Sequence, residues 1–172
     1  MQISKIKLDP YIMGLKVLNI AGPIAGICLI IGMPTVAYLQ TRPQQLPITR
    51  KLIHNGQKFY LEVAAKPDEL VKGLKFRATL PSDKGMLFKL GEQYQNVGFW
   101  MHQVRFPLDI IYLDDGVVTT VINNAQPCSQ APCTIYYGSS ATKVLELPAG
   151  VSNIQVGDKL TFKNLYAKDD SK

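Results

Sequence analysis

The sequence predicts a mainly β domain with one or two short helices, an antiparallel barrel-like or sandwich fold behind an N-terminal hydrophobic helix. Three observations carry that prediction. Between residues 48 and 165 the apolar residues come in short runs, several alternating with polar residues as a half-buried strand requires. Turn formers close these runs, most plainly Asn55-Gly56 and Asp114-Asp115-Gly116. Residues 17–39, by contrast, are 23 consecutive residues without a charge.

As a helix that uncharged run is ~34 Å long at ~1.5 Å per residue, enough to cross a hydrocarbon core of ~30 Å. One reading is a cleaved signal peptide: Lys5, Lys7 and Lys16 precede the run, and Thr35-Val36-Ala37 offers small residues for cleavage. The other is a retained anchor, favoured by the length, since Gly22-Pro23, Gly26 and Pro34 are tolerated in a membrane helix. Cys28 could suggest a lipoprotein, a reading that Ile27 disfavours because a small residue is needed there. Basic residues flank both ends and leave the orientation open. The expected layout is a signal or anchor at 1–41, a proline-containing linker at 42–47, a globular β domain at 48–166 and a polar tail at 167–172. The domain is expected outside the cytoplasm, tethered to the membrane through 17–39, or secreted or periplasmic if the segment is cleaved.

The formal charge of the 172-residue chain is +6, and losing residues 1–37 removes three lysines and one aspartate to leave +4. The basic residues are scattered and no aromatic-interleaved basic motif occurs, so nucleic acid is not an expected partner.

In chain order, 48–54 reads as a strand, Asn55-Gly56 as a hairpin turn and 58–65 as its return. Pro67 opens a short helix with Asp68 and Glu69 in its first turn, ending near Lys75. Residues 76–83 read as irregular, 85–88 as a short buried strand and 91–95 as a polar loop. Strands follow near 97–104 and 108–113, with Phe106-Pro107 in the loop between them. Residues 117–123 return from the Asp114-Asp115-Gly116 turn. A loop spans 124–133, a short extended piece 134–138 and further strands 143–147 and 159–165.

Several stretches then fall in a specific order: Glu62-Val63; Gly73-Leu74 followed by Arg77 and Leu80; Gly85-Met86-Leu87-Phe88; Phe99-Trp100-Met101; Pro107-Leu108-Asp109-Ile110-Ile111; Val144-Leu145-Glu146-Leu147-Pro148-Ala149-Gly150; and Gly157-Asp158. Their order and spacing resemble the family of domain of unknown function 192, over roughly residues 50–165. The resemblance implies a small, largely β domain, often behind a signal peptide or anchor, and brings no settled activity. This chain has Lys75 where that family commonly has Met, and His102-Gln103 where it commonly has a basic residue followed by Asn.

Candidate site residues are polar groups set in apolar motifs. Alternation puts Trp100, His102 and Val104 on one strand face and Phe99 and Met101 on the other. Trp100 and His102 would then form a pocket wall, against the plainer reading of a core Trp100 and a surface His102. Asp109 is costly to bury unpaired, so it is either a ligand-binding carboxylate or is satisfied by Arg77 or by backbone amides. Glu146, flanked by leucines, points opposite to them, and Glu62 has a similar setting. Convergence of Glu62, Asp109 and Glu146 on Arg77 would make a polar pocket able to divide acid and base roles, and dispersed or paired acids are the alternative.

Cys128 and Cys133, outside the cytoplasm, are expected as a disulfide. Two thiols without a nearby histidine do not suggest a metal site, and no cofactor motif is present. The expected ligand-binding set is Arg77, Trp100, His102, Asp109 and Glu146, taking a small polar ligand, a glycan or a peptide near Asp109. The alternatives are a cell-envelope hydrolase using Asp109 or Glu146 with His102, and a structural or assembly module working through its strand edges.

Overall fold

The computed structural model describes residues 41–166 and the single positions Asn19, Thr35 and Tyr38. The expected hydrophobic helix at 17–39 therefore lies, those positions apart, outside the described residues. Among the described residues no helix is long and apolar enough to cross a membrane. The chain divides into two units, Met1–Arg42 and Pro43–Lys172, and the second is the β domain.

Among its described residues this domain has seven strands and one helix: β1 (Ile48–His54), β2 (Gln57–Ala64), α1 (Pro67–Lys72), β3 (Lys84–Trp100), β4 (Leu108–Asp114), β5 (Val117–Ala125), β6 (Ile135–Pro148) and β7 (Phe162–Asn164). The β1–β2 hairpin turns on Asn55 and Gly56, both at positive φ, as the sequence predicts. In α1, Glu69 accepts the backbone N–H groups of Ala65 and Lys66 at 3.0 and 3.1 Å. Those two bonds hold its carboxyl below the usual range. Gly73 ends the helix at φ 49.

The strands form one mixed sheet in the order β5-β4-β6-β3-β2-β1-β7. This corrects the expected antiparallel barrel or sandwich in two respects. First, β2 and β3 are parallel. Parallel neighbours need a crossover rather than a hairpin, and α1 with residues 73–83 supplies it. Second, the sheet does not close, and β5 and β7 are its edges. The edges approach one another only where Gly157 donates to the Val118 carbonyl (2.8 Å) and Val118 and Leu160 donate to the carbonyls of Asp158 (2.9 Å) and Gly116 (2.8 Å). The three-residue β7 is too short to extend that contact into a ladder.

Two further differences concern strand length. The sequence divides β3 at 91–95 and β6 at 139–142, because neither stretch has an apolar alternation to mark a strand. In the structure β3 and β6 run through, paired from Met86↔Glu146 to Lys89↔Lys143 and again, beyond an irregularity, from Tyr94↔Ala141 to Trp100↔Ile135. Their backbones pair along the ribbon, where residues 91–96 are exposed and Ala141 is the one residue of 139–142 buried in the core. The expected strand at 97–104 is overrun at its far end, for β3 stops at Trp100 and Met101 and Val104 turn into the core.

Burial on both faces organises the domain. Six consecutive residues of β4, Leu108 to Leu113, are buried. Alternate residues feed two cores. One holds Met86, Phe88, Ile110, Tyr112 and Val144 beside Leu74, and the other holds Leu61, Leu87, Ile111, Leu113, Leu145 and Leu160. Gly138 permits the closest of these contacts: a Cβ there would stand 2.2 Å from the Tyr112 ring.

Candidate functional site

The register lines up Glu62 in β2, Met86 in β3, Glu146 in β6 and Ile110 in β4 as direct neighbours across the sheet. Two acids thus share the face of the first core, two strands apart, at ~5 Å per strand spacing. Arg77, on the irregular segment after α1, reaches the first of them. Its Nη1 and Nη2 each lie 2.7 Å from one oxygen of Glu62, a bidentate pair. Nη2 also donates to the Gln44 carbonyl at 2.7 Å, and the Leu46 N–H donates to Glu62 Oε2 at 2.7 Å. The Gln44 side chain in turn donates to the carbonyls of Glu69 (2.8 Å), which also accepts the Gly73 N–H, and of Gly73 (2.9 Å), at the end of α1. Residues expected as a free linker are therefore fastened to the domain through this ion pair.

Glu146 is treated differently. It is 4% exposed and accepts no hydrogen bond among the described residues. Burial drives its pKa up to about 8, against the opposing pull of the Arg77 guanidinium. The side chain ends in a small cavity of about 40 Å³ whose wall includes Gly73, Lys75, Phe88, Phe99 and Trp100. Phe88 and Phe99 meet edge to face at 5.1 Å. Trp100 is 48% exposed, an unusual condition for the chain's single tryptophan. Lys75 Nζ lies 5.4 Å from the centre of its ring, and partial burial lowers the Lys75 pKa. A carboxyl that is neutral near pH 7 can donate as well as accept, so the cavity floor suits a hydroxyl, an amide or an amine.

The other predicted residues lie elsewhere. His102 leans on the outer side of Trp100, ring centres 5.3 Å apart, and does not line the cavity. Asp109, of opposite parity to Glu146 in the β4–β6 pairing, belongs to the other face of the sheet. Its Oδ1 accepts the N–H of Asn124 at 2.9 Å and its Oδ2 that of Gly150 at 2.8 Å. Asn124 has φ 54 and sits where the β4–β5 register slips, and Gly150 has φ 74 in the turn after β6. One buried carboxylate thus pins a bulge and a turn, and does not join Arg77. Asp109→Ala should destabilise the domain by about 3 kcal/mol in urea unfolding, because two N–H groups lose a charged acceptor. Asp109→Asn should cost less, since the amide oxygen still serves one of them. Cys128 and Cys133 are joined as a disulfide.

Glu146 and Trp100 line one cavity, Arg77 pairs with Glu62 outside its lining and acts on Glu146 through its charge, and neither Asp109 nor His102 lines the cavity. Sequence reasoning did not select Lys75, Phe88 or Phe99 for the cavity. The one available signal was at Lys75, a charge standing where an apolar residue is common.

The comparisons with known proteins agree on the fold. The family model of domain of unknown function 192, described as an uncharacterized ACR, matches residues 50–162. No curated protein matches the chain. The chain is similar to a solved structure of a putative transcription regulator from Sinorhizobium meliloti 1021, at 29% identity and TM-score 0.60, covering 69% of this chain and 98% of that one. It is also similar to a protein of unknown function from Novosphingobium aromaticivorans DSM 12444, at 28% identity and TM-score 0.57, covering 70% and 92%.

Proposed function

This chain belongs to the family of domain of unknown function 192, and we propose that its β domain is a binding module working outside the cytoplasm with Glu146 at the floor of its pocket. The observation that carries the reading is a carboxyl, 4% exposed, that accepts no hydrogen bond among the described residues and opens onto a cavity beside an exposed tryptophan. Desolvation of this carboxyl costs stability in its charged form, and a ligand that hydrogen-bonds to it offsets that cost. The cavity, about 40 Å³, admits a single polar group. The body of the ligand then lies outside it, against Trp100. A sugar fits this division: one hydroxyl reaches Glu146 while the C–H face of the ring covers the indole. Peptides are the competing class. The localisation rests on the uncharged run at 17–39 and on the Cys128–Cys133 disulfide, which suits an oxidising compartment.

Trp100 is the natural reporter, since no other tryptophan contributes to emission. Titration with chito-oligosaccharides and with short peptides should give a saturable change in its fluorescence for the sugars. Glu146→Leu should weaken that response about tenfold, the loss of one hydrogen bond to a buried group. A flat response to both classes would remove the binding reading.

A second reading, a cell-envelope hydrolase, draws on the raised pKa of Glu146, which suits a proton donor near neutral pH. It requires that the bound saccharide be cleaved, so release of new reducing ends in the same titration separates the two.

A further inference from the structure

A second concavity opens on the opposite face of the sheet and is independent of the Glu146 reading. Adjacent residues of a strand point to opposite faces, so Leu87 and Lys89 project away from Phe88. They line a cleft of about 440 Å³ near the place where the two edges of the sheet approach. Leu87, Leu160 and Phe162 give it an apolar lining. Around them stand four cations from four segments: Arg50 in β1, Lys89 in β3, Lys143 in β6 and Lys159 ahead of β7. Asp115 is the single acid in the lining.

Two features separate this group from an ordinary solvated surface. None of the four cations forms an ion pair among the described residues, where the pairs are His54–Asp158, Lys66–Glu69 and Arg77–Glu62. The Arg50 side chain bonds only the adjacent Thr49 carbonyl, at 3.2 Å. In addition, Lys89 and Lys143 are direct partners across β3 and β6. Like charges in that position oppose folding. An anion held between them reverses the sign of that term, and low-dielectric walls strengthen the attraction.

We propose that this cleft binds a phosphate ester carrying at least two negative charges. Lys89 and Lys143 flank the phosphate, Arg50 and Lys159 complete its neutralisation, and the apolar part of the ester covers Leu160 and Phe162. The volume lies within the range of ~300–1,000 Å³ usual for small-molecule sites. A soluble phosphate monoester and the phosphomonoester headgroup of phosphatidic acid share this chemistry.

The test uses the full-length protein in detergent and the double variant Lys89→Gln/Lys143→Gln. The variant removes a like-charge pair, so its melting temperature should hold or rise. Pyrophosphate is titrated calorimetrically, and flotation compares phosphatidic acid with phosphatidylcholine vesicles. Pyrophosphate binding that the double variant weakens tenfold or more, and that Lys143→Arg retains, supports the proposal with a soluble ligand. A difference between parent and variant seen only with phosphatidic acid supports it with a lipid headgroup. The proposal is overturned if neither probe distinguishes the two proteins. Glu146→Leu should bind pyrophosphate like the parent, so failure here leaves the Glu146 pocket standing.

Discussion

Glu146→Gln should make the domain more stable than the parent at pH 9 by several kcal/mol, while the two proteins unfold within about 1 kcal/mol of each other near pH 4.5. The sign follows from the burial. In the folded chain the Glu146 carboxyl titrates at about 8, against an ordinary 4.5. Between those values the folded state keeps a proton that the unfolded state has released. Stability therefore falls as pH rises through this window, by about 1.4 kcal/mol per pH unit, or on the order of 5 kcal/mol across it. Below the window both states are protonated and the contribution is complete; above it both are charged and the loss is complete. Glutamine has nearly the same shape and no charge, so its stability carries no such slope. Urea unfolding of both proteins at pH 4.5, 7 and 9 isolates the effect, because every other titrating group cancels in the difference. A difference that stays constant across that range would mean that Glu146 ionises as freely folded as unfolded. The binding reading would then lose its carrying observation.

The same side chain shows how far sequence reasoning reaches. Glu146 lies between Leu145 and Leu147, and alternation alone places it on the face opposite them. Which face lies over a cavity depends on α1 and on the end of β3, and no local pattern encodes their positions. Asp109 illustrates the complementary case. Its isolation in an apolar run marks it as a buried acid that needs partners. Those partners are backbone amides 15 and 41 residues away, at a bulge and a turn whose own φ values depend on the finished sheet. The hairpin at Asn55-Gly56 was legible because its determinants are adjacent. The parallel β2–β3 pair was not, since pairing across a crossover depends on packing between distant segments. The through-running β3 and β6 escaped for a third reason: a polar ribbon paired to itself has no hydrophobic period to read.

Arg77→Ala should cost about 3–5 kcal/mol, the range for breaking a buried ion pair from one side. Both partners are largely buried, at 11% and 13% side-chain exposure, so solvent cannot replace the lost charge. The damage extends beyond Glu62. The Gln44 carbonyl loses its donor, and with it the tie between residues 44–46 and the end of α1 loosens. Glu146 also loses the one cation that opposes its raised pKa, so its carboxyl should titrate higher still in the variant. The double variant Glu62→Leu/Arg77→Met provides the decisive comparison. It removes both charges and keeps apolar volume, so it should recover much of the loss and leave the two single changes strongly non-additive. Near-additive costs in that cycle would mean that the pair is solvated and that residues 43–46 are held by packing alone. Recovery would assign the pair a role in fastening the Pro43 end of the domain beside the Glu146 cavity. The test for that role is proteolysis: Arg77→Ala should open residues 43–46 to cleavage under conditions where the parent resists it.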